Sequence, residues 1–263
     1  MKHWIGFKHW IGIAALLAVA VTRAQSPSLP AFEAATIKPG TPERGFGVQV
    51  RGRRLTTVNT SVSEIMAFAW SLHPRQITGG PAWMESEKYD LLAETGPAIG
   101  DAPKPDIRAM VQELLADRFG LRYHRDTKEL SVYQIVVGKT GDKLANSPGD
   151  PNGAPTYGLS ALGAMTVTNA KISDFAGWMQ RYVLDRPVVD HTGITGRFTF
   201  TLNWAADDSQ FAALAGTLRP PAGNSERPDL YEAMQQQLGL KLEATKAPVE
   251  VLVIDHLEKP SEN

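Results

Sequence analysis

The chain has 263 residues, 27 Lys and Arg against 28 Asp and Glu, and no cysteine. A near-neutral balance gives no electrostatic pull toward nucleic acid or an anionic membrane surface. Without cysteine there is no disulfide framework, no thiolate metal site and no thiol chemistry, so stability has to come from burial.

Lys2 and Lys8 precede an apolar run over residues 11–21, followed by Thr22-Arg23-Ala24 and then Gln25. A basic start, a short apolar core and a small residue before a polar one spell a secretory signal over residues 1–24. The run is about half of the ~20 apolar residues a membrane span needs, so no span is expected after cleavage. Cleavage would remove Lys2, Lys8 and Arg23 from the 27 basic residues, leaving 24 against 28 acidic and a net charge of −4.

A first unit is expected over residues 25–137. Residues 32–38 alternate as a strand stopped by Pro39-Gly40, and residues 45–54 read as a Gly- and Arg-rich hairpin arm. Residues 55–59 are β-branched and end at Asn59. Val62, Ile65, Met66 and Ala69 then share a helical face, opened by a Ser61/Glu64 capping box. Short strands follow at residues 76–78 and 88–94, then a helix capped by Asp106 that ends in Phe119-Gly120-Leu121. Two further strands are expected at residues 121–124 and 130–136, joined by a polar link.

Residues 138–163 are rich in Gly, Pro and Asn and read as a linker. A second unit over residues 164–263 restates the first. Phe119 to Ile135 matches Leu238 to Ile254 at a constant offset of 119 with no gap, and Leu55 to Ile65 matches Met165 to Phe175 at an offset of 110. A fixed offset across a supersecondary unit is the mark of a tandem duplication. The expected fold is therefore α+β, a doubled β-α-β-β-α-β-β unit with mainly antiparallel sheets and helices on one face. The strands at Phe32 and Val249 are expected to sit in each other's sheets.

Catalytic templates fit poorly. Asp190-His191 could position a general base for hydrolysis, with His124 in the same cleft, but neighbours on a strand point to opposite faces. Beyond the signal the histidines are His73, His124, His191 and His256, with no pair at i, i+4, so no metal site is expected. Gly138-Lys139-Thr140 lacks the earlier glycine of a phosphate loop, and Ser160 misses the Gly-x-Ser-x-Gly elbow. No cofactor is implied. The binding candidates are Trp83, an aromatic anchor after the stiff Gly79-Gly80-Pro81 turn, Arg51 and Arg53 as an anion-recognising patch, and His124, Asp190 and His191.

Residues 32–39, 79–83, 114–127, 186–193 and 248–263, with the closing Val251-Leu252-Val253-Ile254-Asp255-His256-Leu257-Glu258-Lys259-Pro260-Ser261-Glu262-Asn263, together resemble the "soil-associated" secreted bacterial family. The resemblance implies an exported domain of unknown function, related to domains appended to membrane metallopeptidases of the antibiotic-sensor type. It carries over no catalytic residue. The function expected is a non-enzymatic binding module of the cell envelope or periplasm with a protein or envelope partner, the alternatives being an Asp190/His191 hydrolase or a sensor for a membrane partner.

Overall fold

A capping box starts the first long helix. Glu64 N donates to Ser61 Oγ at 3.2 Å, and Ser61 N donates back to the Glu64 carboxylate at 2.7 Å, satisfying two otherwise orphaned amides. The computed structural model describes residue 1 and residues 31–41, 47–96, 106–211, 223 and 226–260. The expected signal segment lies outside the described residues. Among those residues no helix is long and apolar enough to cross a membrane.

In chain order the first elements are β1 (Ala34–Pro39), β2 (Gly47–Arg51), β3 (Arg54–Ser61) and α1 (Val62–Trp70). After a 3-10 turn at Pro74–Gln76 come β4 (Ile77–Gly79), α2 (Trp83–Ser86), β5 (Lys88–Glu94), α3 (Ile107–Phe119) and β6 (Arg122–Val137). Then follow β7 (Ala145–Asn146), β8 (Thr156–Ala161), β9 (Ala164–Ala170) and α4 (Ile172–Tyr182). The chain finishes with β10 (Val188–Asp190), β11 (Phe198–Asn203), α5 (Leu230–Ala233), a π-helical stretch at Met234–Leu238, and β12 (Leu240–His256).

Three four-stranded sheets make an α+β fold. Two are wholly antiparallel, with orders β1-β5-β3-β2 and β7-β11-β9-β8. The third is ordered β10-β6-β12-β4. There β6 and β12 pair antiparallel from Leu240↔Val137 to Ile254↔Tyr123, while β10 runs parallel to β6 and β4 parallel to β12.

Matching positions adopt matching backbones. Asn59 and Asn169, 110 residues apart, both have left-handed φ, at 47° and 57°, near the ends of β3 and β9. Gly120 and Gly239, 119 apart, both end their helices left-handed, at φ 58° and 67°. At Gly239 a Cβ would also sit 2.2 Å from the Gly141 carbonyl oxygen, so glycine alone fits the turn.

The ribbon carries each half's chain into the other's core. Leu252 and Ile254 of β12 pack with Ile65, Leu91, Leu115 and Phe119, while Tyr133 and Ile135 of β6 pack with Phe175, Leu202, Trp204 and Leu240. Each core is thus closed by a strand end that arrives from the other half. Burial of this apolar surface is the main stabilising term.

Three expectations change. The two strands expected after each Gly-Leu turn are one strand of 16 residues (β6) and one of 17 (β12). The link Asp126-Thr127-Lys128-Glu129 is polar because it faces solvent, yet its backbone still pairs with Pro248–Val251, and pairing does not require apolar side chains. The stretch 138–163 is more than a linker, since it supplies β7 and β8. Its turns are tied by Asn169 Nδ2, which donates to Asp150 O at 2.8 Å and Gly153 O at 3.2 Å. The strand at Phe32 stays with its own half as β1 on β5, and only the strand at Val249 crosses over.

Candidate functional site

Most of the expected candidates are engaged elsewhere. Arg53 donates to the Thr95 carbonyl, and Arg54 binds Glu94 at 2.7 Å, so the arm containing Arg51 is an ion-paired sheet edge. Trp83 starts α2, packs against the first core, and has Lys259 Nζ 5.9 Å from its ring centroid. His124 Nδ1 contacts the Asp255 carboxylate at 2.8 Å across the ribbon on an exposed face.

Asp190 and His191 do not meet. The Asp190 carboxylate accepts from Thr192 N at 3.0 Å and Thr192 Oγ1 at 2.7 Å, which shapes the following turn, while the His191 ring contacts Gln134 Oε1 at 3.2 Å. His191 N donates to the Ile135 carbonyl, eleven residues along β6 from His124. At about 3.3 Å per residue that separates the two histidines by roughly 35 Å. Among the described residues no group of three or more His, Asp or Glu side chains could hold a metal ion.

A groove lies between α1 and α4. It holds about 860 Å3, within the range of small-ligand sites. Ala67, Ser71 and Leu72 form one wall, and Gly177, Trp178, Arg181 and Tyr182 the other. Gln180 fixes the separation of the walls. Its Nε2 donates to the Ser71 carbonyl at 3.2 Å, and its Oε1 accepts from Val188 N at 3.1 Å.

A row of rings and guanidinium groups runs through this groove. Tyr157, on β8, stacks on Trp178 with centroids 5.6 Å apart and planes at 18°, and Trp178 leans on Tyr182 at 5.3 Å. The Arg181 guanidinium carbon is 5.2 Å from the Tyr182 centroid and 4.8 Å from that of Phe68, and Arg108 reaches Phe68 from α3 at 5.7 Å. These are cation–π distances.

Neither the Arg108 nor the Arg181 guanidinium makes a hydrogen bond or ion pair to a described side chain, although the Arg108 backbone N donates to the Asp106 carboxylate at 3.0 Å. The neighbouring carboxylates are occupied: Glu64 takes Ser61 and Lys88 Nζ (2.9 Å), and Asp174 takes Lys171 N (3.0 Å) and Arg197 (3.7 Å). Burial lowers the proton affinity of Arg181; Tyr182 opposes that shift and the like charge of Arg108 adds to it. Burial first, and Asp174 second, push the Tyr157 hydroxyl well above its usual range. The groove thus sets the Arg108 and Arg181 guanidinium groups beside an aromatic wall, with the Asp174 carboxylate, tied to Lys171 N and Arg197, also on its lining.

These residues were not singled out from the sequence, where Trp178 and Tyr182 read only as helix positions. A usable signal existed. Carrying the 110-residue offset to the helix ends sets Phe68 against Trp178, Ser71 against Arg181 and Leu72 against Tyr182.

A family model described as "Protein of unknown function (DUF3738)" matches residues 63–257 of the 263. The match runs from the first turn of α1 past the end of β12 and contains every groove residue. No curated protein and no solved structure matches the chain.

Proposed function

The chain belongs to the family described as protein of unknown function DUF3738, and we propose that it is a non-enzymatic binding module whose ligand sits in the groove between α1 and α4. One observation carries this reading. Arg181 is half-buried between two aromatic rings without a counter-charge, an arrangement that costs desolvation energy and is relieved when a ligand supplies the missing partner. The mid-helix Gly177 supports it, because a Cβ there would meet nothing within 4 Å and the helix gives up stability to keep that space open.

The same reading places the module in the envelope or periplasm, exported by the residue 1–24 signal. The finer family assignment is to the soil-associated secreted proteins, resting on the closing residues 251–263. The matched strand orders of the two antiparallel sheets, and the paired left-handed asparagines and glycines, support a duplicated unit as the origin of both groove walls. Under duplication the groove is the seam between the two copies, and its ligand is a component of the envelope.

Thermal-shift screening of the chain against small anions, neutral aromatics and oligosaccharides tests the reading. At least one compound is expected to raise the unfolding temperature of the native chain and to leave that of Gly177→Phe, with the groove filled, unmoved. Hydrolysis of ester, peptide or glycosidic substrates that vanishes with His191→Ala would overturn it.

A further inference from the structure

The groove also carries information about the ligand's chemistry. Two guanidinium groups share the Phe68 ring and no described acid neutralises either, so the missing partner is an anion. An arginine fork matches the planar oxygens of carboxylate and phosphate, with two parallel N–H donors to two oxygens. Arg108 is exposed on α3 and can swing toward an anion held by the more buried Arg181. Beside them, Trp178 and Tyr157 already stack at 18°, a surface on which a further planar ring gains stacking energy. Gly177, in the same wall, leaves open space beside them, since a Cβ there would meet nothing within 4 Å.

We propose that the groove binds a planar ring carrying a single oxyanion, a carboxylate or a phosphate, with the anion between Arg181 and Arg108 and the ring along the Tyr157–Trp178 wall. This deepens, and rests on, the reading of the groove as the binding site. Asp174 is held away from Arg181 by the start of α4, where its carboxylate accepts from Lys171 N and faces Arg197, so the anion for Arg181 has to come from the ligand.

Isothermal titration of the chain with indole-3-acetate, phenyl phosphate, neutral indole and inorganic phosphate is the test. One or both ring anions are expected to saturate a single site, with indole and inorganic phosphate weaker by about tenfold or more, the scale of hydrogen bonds to charged groups. Arg181→Gln should lower ring-anion affinity by a similar factor. Arg108→Gln, on an exposed side chain with no structural contact to lose beyond Phe68, should weaken binding without any folding risk, whereas Arg125→Gln on the distant ribbon should not. A response to indole-3-acetate alone assigns a carboxylate, and to phenyl phosphate alone a phosphate. Unchanged affinity in both Arg181→Gln and Arg108→Gln, or no saturable binding of either ring anion, overturns the inference. Indole binding as tightly as the ring anions also overturns it, and if Gly177→Phe abolishes that binding, the groove remains the site while its anion preference is gone.

Discussion

Helices α1 and α4 start from corresponding strands, β3 and β9, and their inner faces agree. Val62, Ile65, Met66 and Ala69 are buried, and so are Ile172, Phe175, Ala176 and Met179, 110 residues later. Their groove faces disagree. Ala67, Ser71 and Leu72 stand against Gly177, Arg181 and Tyr182, and the buried Phe68 against the half-buried Trp178. Packing constrains the inner positions to apolar residues of similar size on both sides. The groove positions are released from that constraint, and of the two helices it is α4 that lines the groove with Trp178, Arg181 and Tyr182, so the two walls share an architecture without sharing chemistry.

The comparison breaks most severely where each core depends on the other half. Ile135 lies on β6 but closes the second core, and Leu252 lies on β12 but closes the first; both are fully buried. Ile135→Ala and Leu252→Ala should each cost about 2–5 kcal/mol in urea denaturation. Because the strand ends are exchanged, each should unfold both halves in one transition. Two separate transitions, with only one shifted, would show that the halves are independent.

The buried histidine makes one side more sensitive to acid than the other. His73, following α1, is buried, and its Nδ1 accepts a hydrogen bond from Arg75 N at 3.1 Å, while its counterpart after α4 is Val183. Burial first, and the Arg75 charge second, lower the His73 pKa to about 4, against the partly compensating attraction of Asp185. The unfolded chain binds this proton near pH 6.5 and the folded chain near 4, so the unfolded state is the more protonated between them. The His73 contribution is complete above pH 6.5 and is lost as the pH falls toward 4, on the order of 3 kcal/mol. His73→Gln should flatten the difference in unfolding free energy between pH 7 and pH 4.

Smaller effects sharpen the contrast at the groove itself. Gln180→Ala removes the donor to Ser71 O and the acceptor for Val188 N, leaving both backbone groups unpaired at a cost of about 1–3 kcal/mol. Gly177→Ala should do the opposite and stabilise the chain by about 0.5–1 kcal/mol, since helical Ala outranks Gly and the new methyl meets open space. Loss of stability in that variant would mean that the space is filled by something the folded chain needs.

Much of the scaffold was legible in the sequence because its signals are local. Ser61 with Glu64, Asp106, and Gly120 and Gly239 announce helix ends through hydrogen bonds or backbone angles formed within a few residues. The long strands were not legible as single elements, because residues 126–129 are polar where the ribbon faces solvent, and a polar tetrapeptide reads as a break. The strands β7 and β8 were hidden by Gly and Pro, since their pairing to β11 and β9 is set by partners distant in the chain. The groove was the least legible feature. Arg108, Tyr157 and Arg181 come from three separate elements, and only packing brings them together. Asp190-His191, adjacent in sequence, attracted notice for chemistry that the strand geometry then directs to Thr192 and Gln134.

The most direct test of the groove as the binding site is the affinity of Gly177→Phe, measured by calorimetry with whichever screened compound most raises the unfolding temperature of the native chain. The groove account predicts a loss of about tenfold or more in affinity, with the unligated unfolding midpoint no lower than that of the native chain. Unchanged affinity in a variant whose groove is filled would contradict it.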